Sequence, residues 1–185
     1  MPNAAPARPY AAKFRLPCAV LGIRTAHGTI AGVTYLPSSE RAQAPADALA
    51  ERAVAELARY LADPEFVFTL PLAHAGTAFR QRVRAELAKI PAGESRTYGE
   101  IARALRTAPR AVGGACGANP IALVVPCHRV VGSHGWLGGF MSTKGRPERE
   151  YRSAQREGDA VTAVDGEPMA IKRWLLQHEG YRFGA

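Results

Sequence analysis

Residues 97–115 read TYGEIARALRTAPRAVGGA. Two short helical patterns lie side by side here, with a tight turn between them. Thr97 and Glu100 have capping-box spacing: the threonine accepts from a backbone N–H and the glutamate reaches back to the cap. Ile101, Ala102 and Leu105 line the first helix. Thr107-Ala108-Pro109 starts a second, because a proline in a first helical turn forfeits no hydrogen bond. Arg110-Ala111-Val112-Gly113-Gly114-Ala115 continues it. Two helices joined this way predict a helix-turn-helix. Each glycine inside the second helix costs about 1 kcal/mol relative to alanine. Such glycines mark close approach of another backbone, either a neighbouring helix or DNA.

Upstream, Thr77 is a candidate cap for a helix whose Phe79, Val83, Leu87 and Ile90 share one face. Pro91-Ala92-Gly93-Glu94 ends it. Farther back, Phe14 to Leu36 predicts a hairpin or meander turning near His27-Gly28. PSSERAQAP is a polar loop, and Asp47 to Ala62 is an amphipathic helix with Leu49, Ala53, Leu57, Tyr60 and Leu61 on one stripe. FVFTLPL, residues 66–72, reads as a short strand. The expected fold class is α/β in the α+β sense. Its domains would be a flexible leader over 1–13, a small α/β unit over 14–72 and a helix-turn-helix unit over 73–185.

Composition narrows the function classes. Of 185 residues, 47% are hydrophobic, enough for a real core. No run of 18 apolar residues predicts a membrane span. The first residues lack the apolar core of a secretory signal, so a cytoplasmic location is expected. The three cysteines, Cys18, Cys116 and Cys127, form no CxxC, which argues against a disulfide framework or a common zinc finger. Cys18, His27 and His74 do not make a full ligand set, so no metal is expected. The net charge is +8. Residues 71–185 hold seventeen basic and ten acidic side chains, so 17 − 10 = +7 of the excess lies there. That bias suits a polyanionic partner, or simply arginine-rich solvated helix faces.

Residues 122–131 read ALVVPCHRVV. An apolar run breaks at proline, cysteine, histidine and arginine, then resumes. A thiolate is a nucleophile where a thiol is not; a histidine can take its proton, and a carboxylate can orient the histidine. In an extended chain, Cys127 and His128 would point to opposite faces. Cooperation therefore needs a turn, which Pro126 can supply, or an intervening water. Alone, the pair reads more readily as a buried cysteine beside an unrelated histidine.

The ordered set Arg110–Ala115, Asn119-Pro120, Val125-Pro126-Cys127-His128-Arg129-Val130-Val131, Gly135, Gly138 and Ile171–Gly180 resembles the O6-alkylguanine-DNA alkyltransferase family. The resemblance is strong over about residues 77–145 and 169–180. It implies a small RNase H-like N-terminal domain followed by a helix-turn-helix, winged-helix-like domain. It implies irreversible, single-use transfer of an alkyl group from guanine O6 (and O4 of thymine) in double-stranded DNA to the protein's own cysteine, without a cofactor. Such a protein would be monomeric in solution, with cooperativity on DNA left open.

Carried over by residue, Cys127 resembles the acceptor, His128 its base acting through a water, and Glu179 the carboxylate holding that imidazole. Asn119 would brace the turn. Tyr98 would crowd the target phosphate and aid release of guanine. Arg110 would enter the stack vacated by a flipped base, since the reacting atom is out of reach inside a duplex. Thr97, Ala111, Gly113, Gly114 and Ala115 would face the minor groove. Pro126, Val130, Trp136, Phe140 and Met141 would line the substrate pocket. Lys172 matches a family lysine near the pocket, or is a surface lysine. Arg129 is expected to be structural, bonding local carbonyls.

Two departures stand out. Gly138-Gly139-Phe140-Met141-Ser142 places Phe140 where the family usually has tyrosine. Residues 146–168 are an insertion with four arginines and six acidic residues. Rival readings are a recognition-only relative that lacks transfer, against which the presence of Cys127 argues, and an unrelated cysteine hydrolase, which would not need the helix-turn-helix.

Overall fold

An antiparallel meander builds the first half of the chain: β1 (Ala12–Arg15), β2 (Val20–Ala26) and β3 (Thr29–Leu36), paired in that order. Leu21 and Ile23 pair with Tyr35 and Val33, and all four are buried. His27 and Gly28 both take positive φ, 49° and 70°, in the connecting turn; paired positive φ matches the twist of a tight hairpin. The computed structural model describes residues 9–134, 136–141 and 167–183. Within these, β1 begins inside the stretch expected to be leader. Ala12 is fully buried, and Ala11 N–H donates to the Ile23 carbonyl at 2.7 Å. Alanine has little intrinsic strand preference, so pairing with β2 makes the strand and local sequence does not announce it.

Helix α1 (Ala48–Ala62) is capped by Asp47, whose carboxylate accepts from Ala50 N–H. Its Ala50, Ala53, Leu57 and Tyr60 are buried in the core. The expected strand at 66–72 does not form; one isolated bridge, Ile30 to Leu72, is its sole pairing among the described residues. Other contacts satisfy this segment. Thr69 donates through its N–H and hydroxyl to Glu56 at 2.8 and 2.7 Å, and the rings of Phe66 and Phe68 pack edge to face.

The second half is helical: α2 (Ala78–Leu87), α3 (Tyr98–Leu105), α4 (Pro109–Gly117) and α5 (Pro168–His178). Thr77 caps α2, and Thr97 with Glu100 forms the full capping box on α3. Arg106, left-handed at φ 53°, turns the chain from α3 into α4. Two-residue strands β4 (Arg96–Thr97) and β5 (Val130–Val131) pair in parallel. No described helix is long and apolar enough to cross a membrane. Of the insertion, 146–166 lies outside the described residues; Glu167 and Pro168 begin α5.

One apolar core runs through both halves. Val33 on β3 donates to Pro120 O and accepts from Ala122 N–H, at 2.9 and 3.0 Å. The sheet therefore holds the segment leading to Cys127.

Gly113 and Gly114 of α4 are not kept small by a close neighbour. A Cβ on Gly114 would meet nothing within 4 Å, and one on Gly113 would meet only the Tyr98 ring at ordinary distance. Substituting Gly114→Ala should therefore stabilise the fold, by up to about 1 kcal/mol; a denaturant midpoint higher than wild type checks this.

Candidate active site

Cys127, His128 and Arg129 form a single 3-10 turn. Pro126 enters it at φ −80°, ψ 64°, and Arg129 N–H closes it on the Pro126 carbonyl at 3.1 Å. The turn removes the two-fold alternation of an extended chain. Cys127 faces a cavity, and His128 faces the C-terminal end of α5.

His128 is fully buried, with Nε2 2.8 Å from Glu179 Oε1. Burial alone would raise the Glu179 carboxyl, but hydrogen bonds and charge from His128 and Arg129 outweigh it and hold it at about 2. The carboxylate is thus an acceptor, so Nε2 carries the proton and Nδ1 presents a lone pair. Nδ1 is buried with no hydrogen-bond partner among the described residues. Burial keeps His128 below the ordinary histidine value, and Glu179 only partly opposes this. The imidazole is therefore neutral at pH 7 and able to accept a proton.

Arg129 clamps the same carboxylate. Its Nε donates to Oε2 and its second terminal nitrogen to Oε1, both at 2.9 Å, while the other donates to Ile90 O at 2.5 Å. The expected carbonyl bond is present, and the larger task is the bidentate grip on Glu179. Tyr60 OH adds a donor to Oε1 at 2.8 Å.

Asn119 braces the turn, donating through Nδ2 to Val125 O at 3.0 Å while its Oδ1 accepts from Ile121 N–H. Nδ2 also lies 3.5 Å from Cys127 Sγ. Burial raises the Cys127 thiol, with the Asn119 contact and the Lys172 charge pulling the other way. Lys172 is no surface lysine. It is fully buried and donates to Val130 O and Leu137 O at 2.6 and 2.5 Å; burial lowers it to about 8, against the pull of Cys127 and Cys116. The site thus holds a thiol and a neutral imidazole in one turn, with the Lys172 ammonium nearby.

The cavity measures about 830 Å³. Thr97, Tyr98, Gly113, Gly114, Cys127, Trp136, Phe140 and Met141 line it. Tyr98 OH donates to Gly139 O at 3.0 Å, which ties α3 to the far wall. Phe140 is buried, its ring 5.8 Å from that of Tyr35. Arg110 is exposed on α4 outside the lining, with Ala111 half-buried beside it. Three expected residues lie elsewhere. Ala115 is buried in the core because it falls on the inner face of α4. Val130 is fully buried, as a strand residue paired with Arg96. Pro126 opens on a second depression, with Arg129 and Ile90. Gly135 lies outside the described residues.

Sequence reading missed four residues. Arg80 and Arg103 put positive charge at the cavity, and Cys116 adds a second thiol. Burial, then Cys127, lifts that thiol to about 12. The fourth is Tyr60, which carried only a core signal. Among the described residues no cluster of three or more histidine, cysteine or acidic side chains could hold a metal.

Residues 78–181 match the family model for the 6-O-methylguanine DNA methyltransferase DNA-binding domain. The chain is 38% identical over 143 residues to the regulatory protein ada of Salmonella typhimurium, covering 76% of this chain and 40% of that protein. It is 47% identical over 109 residues to the methylated-DNA–protein-cysteine methyltransferase of Mycobacterium leprae, covering 58% and 66%. The chain thus spans between two fifths and two thirds of the length of these curated relatives. Over 90% of both chains it resembles the crystal structure of Mycobacterium tuberculosis OGT in complex with DNA, with TM-score 0.68 and 32% identity. The Mycobacterium tuberculosis O6-methylguanine methyltransferase gives TM-score 0.67, 31% identity and the same coverage. With more than half its length in the family model, and the buried Cys127, His128 and Glu179 behind one cavity, this chain belongs to the 6-O-methylguanine DNA methyltransferase family.

Proposed function

We propose that the protein reverses alkylation damage in double-stranded DNA by moving the alkyl group of O6-alkylguanine, and of O4-alkylthymine, onto its own Cys127. The observation that carries this is the placement of Cys127 on the cavity wall while its neighbour His128 is locked to Glu179. The Cys127 proton passes to His128 Nδ1 through a water. The thiolate attacks the alkyl carbon, the S–C bond forms, the C–O6 bond breaks, and its electron pair returns to guanine, which takes up a proton. The thioether has no route back to a thiol, so each molecule acts once.

The DNA-facing surface follows from α4. A helix face carrying Gly113 and Gly114, neither kept small by a close neighbour, suits a narrow groove. Arg110 holds the vacated stack, Tyr98 crowds the phosphate of the flipped nucleotide, and Arg80 and Arg103 supply counter-charge. Domain limits near 14–72 and 73–185, a monomer in solution, and the cytoplasm as its setting complete the reading. Three free thiols fit a reducing compartment.

Two outcomes test this. Cys127→Ala should abolish alkyl transfer while leaving binding of lesion-bearing duplex within about threefold, because the helix-turn-helix is untouched; electrophoretic mobility shift and intact mass measure the two. Arg110→Ala should slow repair in duplex DNA by roughly tenfold or more, while its reaction with free O6-benzylguanine stays near wild type, since only the duplex requires extrusion of a base. Equal loss on both substrates would contradict the role given to Arg110.

A further inference from the structure

Tyr60 lies on α1, 119 residues from Glu179, yet its hydroxyl donates to Glu179 Oε1 at 2.8 Å in a buried contact. The hydroxyl is not there by default of packing. The ring is held on one side by Phe68 at 5.6 Å and on another by His178 at 5.2 Å, edge to face. His178 Nε2 also lies 3.1 Å from the Tyr60 backbone oxygen. Both ends of Tyr60 are therefore tied, and the phenol points at one atom.

That atom is the oxygen that His128 uses. Oε1 accepts from His128 Nε2, Arg129 and Tyr60, and Oε2 accepts from Arg129 Nε. A carboxylate offers about four acceptor sites, so Tyr60 completes the set. We infer that Tyr60 is a positioning residue for alkyl transfer: its hydroxyl fixes Glu179 Oε1, and through it sets the orientation and basicity of His128. The N-terminal unit would then supply part of the relay as well as a scaffold.

A phenol donating to Glu179 withdraws charge from the carboxylate. Without it, the carboxylate holds more charge and favours the imidazolium form of His128 more strongly, so the histidine value rises toward its ordinary range. The groups facing this pair are Arg129 on the turn, Lys172 on α5, Cys127, and Tyr35 from β3. Cys18, from the first loop, also faces Tyr60. All remain in place in Tyr60→Phe, which keeps the ring and removes one oxygen.

The inference rests on the alkyl-acceptor reading for its purpose and not for its test. Iodoacetamide alkylates a cysteine without any DNA lesion, so a protein that failed to repair DNA would still report on the relay. The experiment is the rate of carbamidomethylation at Cys127, followed by peptide mass from pH 4 to 9, for wild type and Tyr60→Phe. The expected result is a rate at neutral pH lower by roughly tenfold, from a loosened base. The acid limb of the profile should also move to higher pH by about half a unit, through the charge left on Glu179. An unmoved limb, whatever the rate, would overturn the inference, because a residue that only packs changes stability and not the titration. Placing 3-fluorotyrosine at position 60 keeps ring and hydroxyl and makes the phenol more acidic. It should shift the limb the opposite way, and an unmoved or upward shift there would also overturn it.

Discussion

The structure depends on one buried carboxylate. An isolated charge in a protein interior is costly to desolvate, and it persists only where partners and hydrogen bonds replace water. Glu179 meets that condition by accepting from a histidine, an arginine and a tyrosine. Those donors come from two places in the chain, the turn at 127–129 and the end of α1, and the carboxylate itself is the C-cap of the last helix, α5. Satisfying the charge therefore requires that the meander-and-helix unit, the thiol-bearing turn and the last helix all meet. The same requirement fixes the tautomer of His128, because a carboxylate held at about 2 leaves Nε2 as the donor and Nδ1 as the free base.

A second consequence concerns timing. Many reactive cysteines rest as thiolates. Here burial keeps Cys127 as a thiol and His128 neutral, while Lys172 adds a nearby positive charge. On the proposed alkyl-acceptor reading, a resting thiolate would be exposed to every stray electrophile. On that reading, a thiol that ionises only as the alkyl carbon approaches would restrict consumption to a bound base. Burial lifts the neighbouring Cys116 thiol to about 12 as well.

Much of this was legible in the sequence, for reasons that differ by residue. The capping box at Thr97 and Glu100, the proline start of α4 and the stripe of α1 are local signals, and the structure forms each of them. Cys127, His128, Asn119 and Glu179 were placed by resemblance, and the geometry brings them together. The strand expected at 66–72 was a false local signal, since its aromatic residues pack and its Thr69 serves Glu56. Ala12 gave no strand signal because only its partner makes it one. Lys172 read equally well as exposed, since no sequence pattern shows that three carbonyls converge on its ammonium group. Tyr60 had the plain look of a core aromatic; its hydroxyl acquires a partner only when the C-terminal helix docks.

The central claim is that Cys127 is a single-use alkyl acceptor. Its most direct test is intact-protein mass after incubation with a duplex containing one O6-methylguanine, followed by peptide mapping. The account predicts a gain of one methyl group per protein molecule, located on Cys127, with no further turnover when lesion is in excess. An unchanged mass in protein that binds the lesion, or a methyl group on another residue such as Cys116, would contradict it.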